Sequence, residues 1–530
     1  MAVNLEHTRI VFEASNDQNN PLYRLVLTQT RTKAGKMTCK DFSDGEVFHK
    51  LVSNVNRADV IVVGSLATNS SILKLFDTMC LVMDEGARGL TLVIDDPRRI
   101  FAVQSGEDSF LALERRCFER MLSAIPSSAN GNRLIVVDAH NISEETLSAI
   151  MTATQPQHHQ TRLIPEAQPE LNVFAKSQRL LFSTARYRNL YNSVFSHGAG
   201  AFDRGLTQLT EVGDCARFAG LAGEVEGRDV VVISGTTDDD ETMELWYLAN
   251  ALADAGAAAL ELFINYFGYA RQERRTESGA AVKAEYRSRL FSHIPRCPVR
   301  IKITMVDLHT DGIPSYFDKK RVRTEHLYVA ESLVRYVLQK EFDYDNFLAQ
   351  GHDPAVIEKA ILIALGSTDA GRAKWVEQMA RKLLIDYVIC HKRHIPKEET
   401  AEVANEDVFV YTYVGRVVNM LIAVYDDILS TGGTALNALE LYDREGAEAL
   451  VFIITHGLFV ADAIEKLMKA KTKSGATLIK HVYTTDTHWR SVDVVEKLHA
   501  AGIDFVRLFS VAEMIADYLI NGHPLDRERE

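Results

Sequence analysis

The sequence predicts an α/β protein of tandem units, each a parallel sheet flanked by helices. Three observations carry this reading. Short β-branched runs alternate with amphipathic helical stretches that end at glycine. A stretch of the chain recurs at a fixed offset, and a third strand–helix series follows the second copy. The 530 residues leave room for about three or four domains at ~150 residues each.

In the first copy, Val60 to Val63 is a β-branched run that suits a buried parallel strand. A helix follows with apolar positions Leu73, Phe76, Cys80 and Met83; Gly86 stops it, and Leu90 to Ile94 is the next strand. The second copy repeats the order: strand Val230 to Ser234, helix Glu241 to Ala255, stop at Gly256, strand Leu260 to Ile264. Asp59 and Asp229 stand 170 residues apart, and the same offset pairs Arg9 with Arg179, Phe12 with Phe182, Gly86 with Gly256 and Ile94 with Ile264. Val137-Asp138-Ala139-His140 matches Val306-Asp307-Leu308-His309 at an offset of 169. The expected domains are residues 1–150, a linker over 151–177, residues 178–325 and residues 326–530. The stretch Thr152 to Pro169 is poor in apolar residues, and its His158-His159 pair reads as solvated linker, because adjacent side chains point apart. The last domain should hold strands at Ala360–Ala364, Met420–Tyr425 and Ala449–Thr455, with helices at Ala373–Leu384, Ala435–Glu445 and Val511–Ile520.

Composition removes several classes of protein. With 46% hydrophobic and 25% charged residues, whole-chain disorder is out. No run of ~18 uncharged apolar residues occurs; the longest apolar region, Ala249 to Phe267, is cut by Asp254 and Glu261. The polar start of the chain does not read as a signal peptide. Six cysteines lie far apart with no CxxC pair, which fits a reducing, cytoplasmic setting. A formal net charge of −13 argues against general nucleic-acid binding, and neither a membrane nor a nucleic acid is an expected partner.

Two strings carry chemistry. Val424-Tyr425-Asp426-Asp427-Ile428-Leu429-Ser430-Thr431-Gly432-Gly433-Thr434 delivers two carboxylates at the end of a strand, then a Ser/Thr/Gly turn that opens a helix. Glycines let the backbone approach a phosphate, and the N–H groups of the helix start point at it. The acids can hold ribose hydroxyls or magnesium beside that phosphate. A P-loop is excluded, because no GxxxxGK[ST] string exists. The second string is Asn265-Tyr266-Phe267-Gly268-Tyr269-Ala270-Arg271-Gln272-Glu273-Arg274-Arg275, directly after a strand. Aromatics pack a tight glycine turn, and three arginines offer the paired donors that polyphosphates need.

The first string resembles the phosphoribosyl diphosphate-binding loop of the type I phosphoribosyltransferase fold. Together the two strings make the chain resemble the ribose-phosphate diphosphokinase (phosphoribosyl diphosphate synthetase) family over about Gln178 to Asn521. Further family-like strings stand in order: Val306-Asp307-Leu308-His309, Ser367-Thr368-Asp369-Ala370-Gly371, His391-Lys392-Arg393, Thr455-His456-Gly457 and Thr484-Thr485-Asp486-Thr487. The resemblance implies transfer of the β,γ-diphosphoryl group of ATP to the C1 hydroxyl of ribose 5-phosphate, with magnesium (Mg2+) as cofactor. It implies that Arg271, Gln272 and Arg274 bind ATP. His309 would lie near the magnesium and the triphosphate. Asp369 would hold ribose and a magnesium ion. Lys392 and Arg393 would sit on a mobile loop over the reacting group. Asp426 and Asp427 would take the ribose hydroxyls, while Ser430, Thr431, Gly432, Gly433 and Thr434 would cradle the 5-phosphate.

Copy one resembles a second N-terminal domain of the same family and carries Phe42-Ser43-Asp44-Gly45-Glu46, a string that in the family contacts adenine across a subunit interface. Copy two reads Val212-Gly213-Asp214-Cys215-Ala216 there, whereas copy one has Asp95 to Ile100 where copy two has its aromatic-arginine string. The losses are complementary. Copy one is therefore expected to be non-catalytic and to supply Phe42, Asp44 and Glu46 to the adenine pocket, within the chain or from another chain of a homo-oligomer. Ser430 and His394 depart from the family's usual Asp and Arg, which leaves open a weakly active regulatory subunit or a different ribosyl phosphate as acceptor.

Overall fold

A computed structural model of the chain describes residues 9–95 (except 18, 31 and 67), 109–127, 132–136, 179–344 (except 199, 213, 214 and 223), 362–395 and 408–522. The expected linker at 151–177, the copy-one string Val137–His140 and most of Asp95–Ile100 lie outside them. The chain divides into two compact units, Met1–Glu325 and His326–Glu530.

The first unit holds both copies. In copy one, β1 (Arg9–Glu13), β2 (Lys33–Ala34), β5 (Asp59–Ser65), β6 (Gly89–Asp95) and β7 (Asn132–Val136) form a parallel sheet in the order β2-β1-β5-β6-β7, while β3 (Met37–Asp41) and β4 (Val47–Leu51) form an antiparallel hairpin. Its helices are α1 (Pro21–Thr30), α2 (Asn69–Asp84) and α3 (Ser109–Ser123). In copy two, β8 (Arg179–Ser183), β9 (Phe202–Arg204), β12 (Asp229–Ser234), β13 (Ala259–Ile264), β14 (Arg300–Val306) and β15 (Arg323–Leu327) lie in the order β15-β14-β13-β12-β8-β9, and β10 (Leu206–Val212) pairs with β11 (Cys215–Ala222) as a hairpin. Helices α4 (Arg188–His197), α5 (Asp239–Asp254) and α6 (Lys283–Ser292) complete it.

Local chemistry places these helices. Thr68 caps α2 in a capping box with Ser71, and Asp238 caps α5 by accepting from the Glu241 amide at 3.0 Å. Gly86 and Gly256 follow the two helices at φ +84° and +83°, a conformation that disfavours side chains. Helices α2 and α5 begin 170 residues apart and pack against each other; α3 rests on α5, and α6 on α2. One continuous core joins the copies, with Val62, Phe76 and Leu92 from the first and Val232, Trp246 and Leu262 from the second.

The second unit is a seven-stranded sheet with helices on both faces. Strands β16 (Ile363–Ser367), β17 (Asp386–Ile395), β18 (Val408–Gly415), β19 (Leu421–Leu429), β20 (Ala449–Gly457), β21 (Val482–Thr485) and β22 (Val506–Phe509) lie in the order β18-β17-β16-β19-β20-β21-β22; only β17 and β18 are antiparallel. Along β19 the side chains alternate: Ile422 and Val424 join the core with Ala438 and Leu439, Ala423 and Tyr425 the one with Leu333 and Val376. These faces are covered by α9 (Gly433–Arg444) and, on the other side, by α7 (Ala330–Phe342) and α8 (Ala373–Lys382); α10 (Ala463–Lys469), α11 (Trp489–Ala500) and α12 (Ala512–Asn521) follow. The three expected strands differ in their ends, and β20 runs on to Gly457. β16 starts at Ile363 because its register is set against Leu421. β19 runs on to Leu429, since Ile428 and Leu429 still find partners in His456 and Gly457. No helix among the described residues is long and apolar enough to cross a membrane.

Candidate active site

The aromatic-arginine string follows β13 as a buried turn. The Asn265 amide and side chain both donate to the Ser234 carbonyl, at 2.7 and 3.0 Å, and the Gly268 amide donates to the Thr236 hydroxyl at 2.8 Å. A Cβ at Gly268 would lie 1.9 Å from the Thr236 carbonyl oxygen, so only glycine lets the two turns close. Tyr269 then turns the chain at φ +62°.

The loop Phe42–Glu46 of copy one closes on this string in the same chain. Glu46 accepts the Tyr269 amide at 2.7 Å on one carboxylate oxygen and the Gln272 side-chain amide at 3.0 Å on the other. Asp44 forms an ion pair with Arg271. Burial pushes the Glu46 carboxyl up, and Arg271 only partly offsets this. The backbone continues the seam: Ala281 donates to the His49 carbonyl and Leu51 to the Gly279 carbonyl, each at 2.9 Å. Phe42 remains 39% exposed beside Lys40, and the Gln272 amide oxygen is buried without a hydrogen-bond partner. The exposed aromatic face of Phe42 suits stacking on a planar base.

Beneath the string lies a buried charge network. The Tyr269 hydroxyl donates to Asp239 at 2.9 Å, and its ring lies 4.7 Å from the Lys283 ammonium and 4.8 Å from the Arg287 guanidinium. Asp77 of α2 pairs with both cations. Sequence reasoning missed Asp77, Asp239, Lys283 and Arg287. A Lys-Arg pair four residues apart reads as a solvated helix face, and nothing local signals a carboxylate some 200 positions away. Arg274 points away from this network, 80% exposed beside Glu273, and His309 lies half-buried just after β14.

In the second unit, Asp426 and Asp427 sit inside β19. Asp426 accepts the Thr368 hydroxyl at 2.6 Å and the Asp427 amide at 2.9 Å. Burial and the neighbouring Asp427 push its carboxyl well above the usual range. Asp427 is ion-paired with Arg372. The turn Ser430 to Thr434 follows at once, with Gly432 at φ +80° as the N-cap of α9. The amide of Val460 ties this turn to the end of β20 by donating to the Ser430 carbonyl at 3.0 Å. Behind it, buried His456 meets the Thr487 hydroxyl at 2.8 Å, and Thr485 donates to the Thr455 carbonyl at 2.7 Å, which holds the strand ends rigid. Asp369 caps a short turn by accepting the Gly371 amide at 2.8 Å.

Lys392 and Arg393 lie in strand β17 rather than in a loop, paired with Tyr411 and Val410. The β-branched and aromatic run Val408–Val414 offers a full ladder, which extends the strand through them. Arg372, missed from the sequence, was findable: it directly follows the quoted string Ser367–Gly371. Among the described residues no three His, Cys, Asp or Glu side chains converge as a metal cluster. Magnesium takes one or two protein carboxylates and fills its shell with substrate phosphate and water, and Asp369 carries a carboxylate that could hold it.

A model of the N-terminal domain of ribose phosphate pyrophosphokinase matches this chain twice, over residues 11–104 and 180–294. A ribose-phosphate pyrophosphokinase of Fusobacterium nucleatum is 26% identical over 315 residues, 59% of this chain and 85% of that protein. Its Thermotoga maritima namesake is 25% identical over 320 residues, 58% of this chain and 87% of that protein. The chain is thus similar to the ribose-phosphate pyrophosphokinases. A crystal structure of phosphoribosylpyrophosphate synthetase from Mycobacterium smegmatis aligns with a TM-score of 0.49 and 20% identity, covering 65% of this chain and 98% of that one. The chain is an α/β protein of largely parallel sheets flanked by helices. The two matches of the domain model fall one on each copy of the first unit.

Proposed function

We propose that this chain is a magnesium-dependent ribose-phosphate diphosphokinase whose adenine pocket is completed within one chain. The observation that carries it is the contact of Asp44 and Glu46 with Arg271, Tyr269 and Gln272. Copy one brings the loop, copy two the arginine string, and neither copy has both.

In the reaction, the C1 hydroxyl of ribose 5-phosphate forms a bond to the β-phosphorus of ATP, the bond to the α-phosphate breaks, AMP leaves, and the hydroxyl proton is lost. The protein mainly positions reactants and offsets charge. Phe42 stacks on the adenine, while Asp44, Glu46 and the orphaned Gln272 oxygen face its polar edge. In the first unit Arg271, Arg274 and His309 serve the ATP phosphates; in the second, Lys392 and Arg393 supply positive charge for the diphosphoryl group. Asp426 and Asp427 accept the ribose hydroxyls, and Ser430 to Thr434 bind the 5-phosphate at the start of α9. Asp369 would hold magnesium, which would supply charge neutralisation to the polyphosphate.

Purified protein with ATP, magnesium and ribose 5-phosphate should release AMP and phosphoribosyl diphosphate in equal amounts, followed by chromatography. Base stacking contributes about 1–3 kcal/mol, so Phe42→Ala should raise KM for ATP about tenfold. A mixture of Phe42→Ala and Arg271→Ala chains should stay as impaired as its parts. Recovery of activity on mixing would show the loop acting between chains.

A further inference from the structure

The two carboxylates of β19 are held in different ways. Asp426 is bonded by a hydroxyl and an amide. Asp427 is paired with a guanidinium, and the side chains of Arg372 and Asp427 are only 17% and 5% exposed. Arg372 ends the short turn Ala370–Arg372 and is the N-cap of α8. That turn is pinned at both ends: Asp369 caps its start, and Trp375, in the first turn of α8, stacks on Tyr425 of β19 at 4.2 Å. The backbone that carries Arg372 is therefore held beside β19.

A carboxylate offers about four acceptor sites, and a guanidinium takes one or two of them. The guanidinium offsets the charge of Asp427 and fixes the plane of its carboxylate. Without Arg372, the Asp427 carboxylate would stand uncompensated beside a turn that must receive a phosphate, and would repel that anion.

We propose that Arg372 is a positioning residue of the acceptor-sugar site, holding Asp427 to receive sugar hydroxyls and offsetting its charge beside the phosphate turn. This rests on the assignment of ribose 5-phosphate to that turn. The guanidinium acts through Asp427, so its effect falls on the sugar and not on ATP.

The test is calorimetric titration of ribose 5-phosphate into the full chain, without ATP, paired with steady-state kinetics. Arg372→Gln keeps a shorter polar side chain without the charge, and Arg372→Lys keeps the charge without the fork. The glutamine variant should bind ribose 5-phosphate at least tenfold more weakly, raise its KM by a similar factor and leave KM for ATP within twofold; the lysine variant should recover part of the loss. Binding by the glutamine variant that equals or exceeds wild type would overturn the proposal. So would an equal rise in both KM values, which marks a structural defect. Failure of the wild-type chain to bind ribose 5-phosphate would remove the acceptor reading itself, and the proposal with it.

Discussion

Asp77 lies in the middle of α2 without exposed surface, and its carboxylate meets the Lys283 ammonium at 3.0 Å and the Arg287 guanidinium at 2.7 and 3.2 Å. Burial alone would push its carboxyl up, but Arg287 and Lys283 outweigh this and hold it well below the usual carboxylate range. Asp77→Asn keeps the shape and removes the charge. Two buried cations are then left with Asp239, 3.4 Å from Arg287, as the remaining carboxylate of the network. Breaking a buried pair by removing one partner costs about 3–5 kcal/mol. At about 1.4 kcal/mol per factor of ten, amide protection in α2 and α6 should fall between about a hundredfold and a few thousandfold. Hydrogen exchange by mass spectrometry reads this locally, with peptides from β19 and β20 as the unaffected reference. The effect has a definite pH sense. A depressed folded pKa contributes stability that is present above the unfolded value, about 3.9, and is lost as pH falls below it. The gap between wild type and variant should therefore close below about pH 4. Tyr269 rests on the same two cations, so KM for ATP should rise as well. A loss of protection under about threefold in both helices would refute the buried-pair reasoning.

Glu241, buried in the first turn of α5, has its carboxyl raised from 4.5 to about 7, mainly by burial and against hydrogen bonds from Thr237. A raised carboxyl makes the folded state bind the extra proton, so stability falls as pH rises from about 4.5 to 7. Glu241→Gln should remove that fall, worth about 3 kcal/mol, as read from denaturation midpoints at pH 5 and pH 8; parallel pH trends in both proteins would count against it. Gly268→Ala puts a Cβ against the Thr236 carbonyl and should abolish measurable ATP binding while the second unit stays folded; titration with ATP and exchange of the β19 peptides check the two halves. Wild-type ATP affinity in that variant would mean the turn is not part of the pocket.

Much of the site was legible because its strings are local. Asp426 to Thr434 announce a strand, a turn and a helix start in eleven residues with Val424 and Tyr425, and the structure builds that order. The aromatic-arginine string likewise follows its strand. Other features were misread. The resemblance put Lys392 and Arg393 on a loop; the ladder that makes them strand comes from Val408–Val414.

The sequence by itself determined the repeat, the alternation of strands and glycine-stopped helices, and the residue types of both motifs. These follow from periodicity and turn chemistry, which act over a few residues. Only the tertiary structure decided which groups meet. Glu46 reaches Tyr269 across 223 positions, Asp77 reaches Arg287 across 210, and Arg372 closes on Asp427 from a neighbouring strand end. Such pairings depend on how α2 packs on α5 and α6 and how α8 docks on β19. No local pattern encodes that, because burial of the whole apolar face, not the charged pair, drives the packing that brings the charges together.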